Sequence, residues 1–331
     1  MAQQHKQQIK FIISIDTEEE WDWSGPFPQK DFSVNNIQQI PDFQAFCQSL
    51  GIKPSYFVDY AVADDANSVE ILKNAVAGGK GEIAAHLHPW CNPPYYGQTA
   101  EFESHVINLP LAQVEEKLSQ LTNKLQEAFS TTPRAFRTGR WGISGDVLQL
   151  LVKYGYDIDS SVYPFYSHKF FNCQGAPIQP YWPNYANVIA AGTQREMMQI
   201  PVSVGFNNSH FKLSSKFHRI LEETWLNKLR PVGLAWHTGL LRKHYLCPEL
   251  STADDMICLV KNMLKRGECV FHMYLHSSSL LTSATGFMKD GEGAHTIFDR
   301  IQPVFEYLQQ HAEVECMTIS QVADWFKQEK I

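Results

Sequence analysis

Apolar and polar positions divide the chain into short continuous apolar runs and longer stretches of helical spacing. The first run, Phe11, Ile12, Ile13 and Ile15, leads straight into Asp16, Glu18, Glu19 and Glu20. A short β-branched run of this kind predicts a strand buried on both faces. Pro54–Tyr60, Glu82–Leu87, Arg134–Arg137 and Tyr156–Val162 predict further strands. Between them, Asn36–Leu50 places Ile40, Phe43, Phe46 and Leu50 at helical spacing and stops at Gly51. Ser68–Ala77 predicts a helix closing on Gly78-Gly79, and Leu109–Ser130 predicts the longest helix. Ser144 is placed to cap a helix that ends at Gly155.

This alternation of strand and helix argues for parallel βαβ units in one β/α barrel-like domain over residues 1–331. Around 163–250 the pattern loosens into aromatics, prolines and candidate strands at Val188–Ala190 and Met197–Val202. A helix at Lys216–Leu229 and a strand at Val232–His237 follow, and the region reads as an elaboration of the barrel. Thr252–Lys265 is a helix, Glu268–Leu275 a strand ending at His276, and helices His295–His311 and Ser320–Lys330 flank a strand at Glu313–Met317.

A net charge of −7 argues against a nucleic-acid partner, because phosphate-binding surfaces are basic. No stretch approaches the length of a membrane span. Lys6 and Lys10 are followed by a short strand, not by a secretory apolar region. Seven cysteines are scattered without a Cys-x-x-Cys pair, which suggests reduced thiols. Together these features lead us to expect a cytoplasmic protein.

Three predicted strands end in residues able to do chemistry: Asp16, Glu18 and Glu19; His86 and His88; and His276. In α/β proteins such strand ends face one crevice. Four carboxylates at one strand end repel one another unless a cation sits among them; the alternative is a solvated acidic loop. His86 and His88 are two apart, so a continuing strand sends both to the same face. One carboxylate, two histidines and an open position form a catalytic zinc set.

The stretches SIDTEEEWD (14–22), GEIAAHLHPW (81–90), FRTGRWG (136–142), YDIDSSV (156–162) and FHMYLHS (271–277) occur in an order that resembles the carbohydrate esterase family 4 polysaccharide deacetylases, the NodB-homology group. The resemblance implies an α/β fold of distorted (β/α)7-type, with seven or eight strands. It implies a metal-dependent hydrolase that removes N-acetyl or O-acetyl groups from a sugar or polysaccharide intermediate. Asp16 would be the base, and Glu18, His86 and His88 would hold a divalent metal, zinc foremost. Arg137 would orient Asp16, the N–H of Trp141 would face the oxyanion, and His276 would protonate the leaving amine.

Three positions depart from the family pattern. Asp16-Thr17-Glu18 replaces adjacent aspartates and resembles branches in which the second acid is the ligand. The usual second histidine lies four residues after the first, but position 90 is Trp, which leaves His88 as the substitute. The arginine motif closes as Gly139-Arg140-Trp141-Gly142 instead of Pro-Tyr-Gly.

Other residues carry two readings each. Asp159 orients His276 or closes a local turn. Arg140 binds an acidic substrate group or sits on the surface. Trp90 and Tyr95, with Trp21, Trp23 and Tyr96, stack on sugar faces or fill the core. His237 lines the cleft or is a satisfied structural histidine, and Glu19 and Glu20 read as spectators. The expected partner is an N-acetylated carbohydrate, lipid-linked or nucleotide-linked. The alternatives are hydrolysis of a non-sugar C–N bond of cyclic amide or ureide type, and a non-catalytic sugar-binding relative.

Overall fold

The computed structural model describes residues 6–21, 25–223, 238–282 and 288–329. In chain order the first strands are β1 (Gln7–Thr17), β2 (Ser55–Val58), β3 (Glu82–Leu87), β4 (Ala135–Thr138), β5 (Ile158–Asp159) and β6 (Pro183–Asn184). They are followed by β7 (Asn187–Ala191), β8 (Met198–Gln199), β9 (Val204–Phe206), β10 (Lys243–Tyr245), β11 (Val270–His276) and β12 (Ala312–Cys316). The main sheet runs β11-β1-β2-β3-β4-β5-β8, with β12 added on β1. Every pairing in it is parallel.

Period-two alternation sorts β1 into two cores. Phe11, Ile13 and Ile15 face the outer helices, among them Ile40–Ser49 and Ala294–His311. Ile12 faces inward, where it joins Phe57, Ala84, Ala135, Ile158 and Val270. Ile319, Val322 and Phe326 of the helix Ile319–Glu329 join this inner cluster and plug the barrel's lower end. Burial on both faces is why these strands are continuous apolar runs.

Above that apolar plug the inward positions turn polar. Two residues on from Ile12 stands Ser14, and two further on stands Asp16, with His272 and His276 climbing β11 beside them. Register sets Asp16 directly opposite His276, and His86 directly opposite Arg137. The functional side chains therefore rise from the C-terminal strand ends, where the loops of a β/α barrel converge.

The seven-strand path curls into a barrel that closes without a regular ladder. Ser203 N donates to His272 O at 3.0 Å, and His272 N donates to Ser203 Oγ at 2.9 Å. The Gln179 side chain bridges the lower part, accepting from Val270 N at 2.8 Å and donating to Val270 O at 2.9 Å. This is the distorted (β/α)7 closure.

Several expected elements are shorter or differently divided. Pro54–Tyr60 splits into β2 and a short helix, Tyr60–Asp64, because Asp59 caps that helix by accepting from Val62 N at 2.8 Å. Tyr156–Val162 pairs only at Ile158–Asp159, since the chain then turns so that Ser161 N and Oγ both donate to Asp159. The expected strand Val232–His237, the end of the helix expected at Lys216–Leu229, Trp23 and His237 lie outside the described residues.

Candidate active site

Glu18, His86 and His88 converge at the barrel mouth. The Nε2 atoms of His86 and His88 lie 3.3 and 3.2 Å from Glu18 Oε2. All three side chains are buried. Glu18 Oε1 is also buried and has no hydrogen-bond partner among the described residues. A buried carboxylate oxygen without a donor costs free energy unless a cation completes it.

The far nitrogen of each imidazole is occupied. His86 Nδ1 lies 3.1 Å from the Arg137 carbonyl, and His88 Nδ1 lies 3.0 Å from Glu19 Oε2. Both acceptors require Nδ1 to carry the proton, so Nε2 is the atom each ring would offer to a cation beside Glu18. Without a cation, burial opposes the charge on His88, but Glu19 and Glu18 overcome it and favour the protonated ring. Metal-binding histidines are commonly held in this way. The residues present therefore fit a small divalent cation.

Glu19 is fully buried, not a spectator on a solvated loop as the sequence suggested. It accepts from His88, from Trp90 Nε1 and, at 3.6 Å, from Cys91 Sγ. Asp59 lies against it, and Glu19 N donates to Asp59 Oδ2 at 3.0 Å. Burial first, and then the hydrogen bond shared between the Asp59 and Glu19 side chains, pushes the Asp59 carboxyl well above its usual range. Burial works against ionisation of Glu19 as well, but the charge of His88 overcomes it and holds Glu19 low. Of this pair, Asp59 keeps the proton and Glu19 carries the charge. Glu19, Asp59, His88 and Cys91 are near enough to form another metal-like cluster. Their hydrogen bonds to one another make them the support behind His88 instead.

Gly139 is the reason the His88 ring fits. A Cβ at that position would lie 2.0 Å from His88 Cδ2 and 2.7 Å from its Nε2. On the other side Trp90 stacks on the ring at 4.2 Å between centroids. Trp90 is only 2% exposed and spends its N–H on Glu19, so it packs behind the site and does not face substrate as proposed from sequence.

Arg137 is wholly buried beneath this layer. Its guanidinium donates to Asp16 Oδ1, to Ser14 Oγ at 2.8 Å and to Ser160 Oγ at 3.0 Å, and its Nε donates to Ser160 O at 3.1 Å. Phe57 lies flat against it, 4.2 Å from ring centre to Cζ. His272 shares the layer, and burial together with the Arg137 charge holds its pKa well below the usual histidine range. Neutral His272 can donate from Nδ1 to Pro201 O and accept at Nε2 from Ser14.

His276 closes the other side of the cavity. Its Nε2 lies 3.8 Å from Asp16 Oδ2. Glu249 clamps it from behind, accepting from the His276 backbone N at 2.7 Å and from Nδ1 at 2.9 Å. Burial favours the neutral ring, but Glu249 first, then Glu18 and Asp16, raise its pKa to about 10. Glu18 responds in kind: burial opposes its charge, yet His276 and His88 hold its carboxyl well below the usual range.

Asp159 does not orient His276. Its oxygens accept from Ser161 N at 2.9 Å and Ser161 Oγ at 2.6 Å, and burial pushes its carboxyl up to about 6. Glu249 holds His276 in its place, from a segment in the elaborated region that no motif marked. The adjacent Glu in CPEL (247–250) is the only sequence signal, and it is a weak one.

These groups line a cavity of about 380 Å³, walled also by Trp141, Tyr163, Tyr166, Phe171 and Tyr245. Arg140 and Trp141 both have φ +64°, a left-handed conformation uncommon for non-glycine residues. This turn presents the N–H of Trp141, which donates to no group among the described residues, while Gly142 N donates to Ser161 O. Arg140 reaches the mouth but is paired with Glu101 at 2.8 Å and with Ser104 Oγ at 2.8 Å. Glu101 also lies near His105 and His168, at 3.8 and 4.0 Å. Tyr95 lies off the cavity, 53% exposed with its hydroxyl on Cys91 O, so the substrate contact expected of it is not made there. Trp21 packs on Phe27 and Trp90.

No protein-family model matches the sequence, and no curated protein matches it. Solved structures do match the fold. A Parabacteroides distasonis protein assigned as a glycoside hydrolase/deacetylase superposes with TM-score 0.61 at 11% identity, covering 98% of this chain and 72% of that one. A Mycobacterium smegmatis protein assigned as a polysaccharide deacetylase gives 0.57 at 12% identity, covering 100% and 94%. PuuE allantoinase gives 0.53 at 15% identity, covering 99% and 93%. Identities this low speak for architecture, and in architecture the chain has the distorted (β/α)7 barrel fold of these structures.

Proposed function

We propose that the chain is a divalent-metal-dependent hydrolase that removes acetyl groups from an N-acetylated carbohydrate. The observation that carries this reading is the set Glu18, His86 and His88, with both Nδ1 atoms locked by acceptors and Glu18 Oε1 left without a donor among the described residues. Those three residues would hold the ion, with zinc the best match for two imidazoles and one carboxylate. When bound there, the metal supplies Lewis acidity to water and to the scissile carbonyl.

The remaining steps belong to the chain. Asp16 is outside the ligand set and takes a proton from water, oriented by Arg137. His276 is held protonated by Glu249 and faces the cavity across from Asp16, so it gives its proton to the departing amine. The N–H of Trp141 donates to the oxyanion as charge develops there. Trp141 and Tyr245 wall the cavity where a sugar would sit, with Tyr163 stacked on both of them, and Arg140 with Glu101 borders the entry. The seven cysteines are free thiols. With no described helix long and apolar enough to cross a membrane, this supports a cytoplasmic sugar intermediate, lipid-linked or nucleotide-linked.

The test is a substrate panel on zinc-loaded protein, reading released acetate from N-acetylated sugars and ring opening of a cyclic ureide. Acetate release that disappears in Glu18→Gln is the expected result. Ureide hydrolysis without acetate release would move the chain to the C–N hydrolases of this fold. Glycan binding without bound zinc or turnover would make it a binding protein.

A further inference from the structure

The helix Phe211–Glu223 leaves an apolar stripe in solvent, and none of its residues lines the cavity described above. Leu213 is 68% exposed, and Phe217 and Ile220 are each 43% exposed. Their spacing of four and three places them on one face. Lys212, Lys216 and Arg219, also exposed, repeat with the same spacing one residue earlier, so a basic arc runs beside the stripe. Phe211, Ser214 and Leu221 form the buried face that fixes the helix to the protein.

The basic arc lines a separate cavity of about 670 Å³, whose described lining includes Lys212, Lys216, Arg219, Arg266 and the carboxylate of Glu268. Arg266 is tied to Glu268 at 2.9 Å and to Ser209 O at 3.0 Å. The cavity floor is apolar, with Phe165, Pro177, Ile178 and Phe211. This concentration of cations stands on a chain whose net charge is −7. Two independent features therefore coincide: a cationic pocket of headgroup size and, beside it, apolar side chains that face water at a cost.

We propose that this face docks on an anionic lipid bilayer. The cavity takes lipid phosphates, and Leu213, Phe217 and Ile220 enter the acyl boundary. An apolar stripe bordered by lysine and arginine is the pattern of a helix lying in the membrane interface. Charge complementarity selects a bilayer over a second copy of this chain, which would have to bring its own basic arc against this one. The helix lies in the connection between the antiparallel strands β9 and β10 and packs on β9, with Phe206 at 6.2 Å from Phe211 and 6.0 Å from His218. The same strand pair carries Tyr245 to the active-site wall. Docking thus holds the catalytic mouth at a lipid surface.

The experiment is vesicle co-sedimentation of the full chain. It uses phosphatidylcholine vesicles with and without phosphatidylserine, at low and high salt. The chain should sediment with the anionic vesicles only, and high salt should release it. Lys212→Glu with Lys216→Glu should weaken partitioning by more than about tenfold, since each lysine near an anionic surface is worth about fivefold. Leu213→Ser with Phe217→Ser and Ile220→Ser should weaken it at least about tenfold. All five positions are exposed, and circular dichroism verifies that each variant is folded. Because zinc binding and acetate release are not read here, the result stands apart from the catalytic reading. The proposal is overturned by sedimentation with neither vesicle, by equal sedimentation with both, or by unchanged sedimentation of the charge variant. It is also overturned if sedimentation velocity finds a dimer that the apolar variant abolishes, which would make the face a contact between copies.

Discussion

Gly139→Ala probes the metal centre through a residue that is not itself proposed as a ligand. The φ of Gly139 is outside the left-handed region, so alanine suits the backbone and the effect comes from the added carbon alone. That carbon would lie 2.0 Å from His88 Cδ2, where carbon atoms settle near about 3.5 Å. The ring must therefore move by more than an ångström. It has no room behind it, because Trp90 stacks there at 4.2 Å. Rotation would break the 3.0 Å bond to Glu19 and swing Nε2 away from Glu18. Overpacking of this kind costs about 1–3 kcal/mol of stability. Zinc affinity should fall by at least about 10–100-fold, the usual loss when the support of a ligand is disturbed. Competition with a chromophoric chelator reads the affinity, and thermal melting in EDTA separates it from loss of fold. Wild-type zinc affinity in a folded Gly139→Ala protein would show that His88 is not a ligand.

Three further outcomes follow from the same geometry. Asp16→Asn should retain zinc, as measured by metal analysis, yet lower turnover by roughly 10²–10⁴-fold, the worth of a general base. His276→Ala should also retain zinc but lose more rate on an acetamide than on an activated acetate, because a poor amine leaving group needs the proton; equal losses would remove His276 from that role. Glu249→Gln removes the leading cause that raises His276 to about 10, so the alkaline limb of the pH–rate profile should move to lower pH. The sign for stability agrees: a raised histidine pKa stabilises the fold fully below the ordinary histidine value, and that contribution fades as pH rises through about 10. The variant should therefore lose stability near neutral pH and approach wild type at high pH, read by denaturant melts across that window.

Much of the site was legible because it depends on local pattern. A β-branched run ending in Asp16, a histidine pair with period two, and Arg137 at a strand end each state which face a side chain takes. In a parallel barrel all strand ends share one rim, so residues far apart in sequence could be placed together without coordinates. The register then set Asp16 beside His276 and His86 beside Arg137.

What the sequence determined by itself was the order of strands and helices, the buried character of the central strands, and the residue types at the barrel mouth. Only the tertiary structure decided which neighbours complete those residues. Glu249 reaches His276 across 27 positions and Glu19 reaches His88 across 69, and no local periodicity encodes either meeting. Glu19 sits in an acidic run that reads as solvated, yet it is buried because His88, Trp90 and Cys91 surround it with donors. Trp90 and Asp159 each carried two readings, and the structure gives both local or rear partners, Glu19 behind Trp90 and Ser161 beside Asp159. Position along a strand sets a side chain's direction, whereas burial and hydrogen-bond partners depend on chain segments that only folding brings within reach.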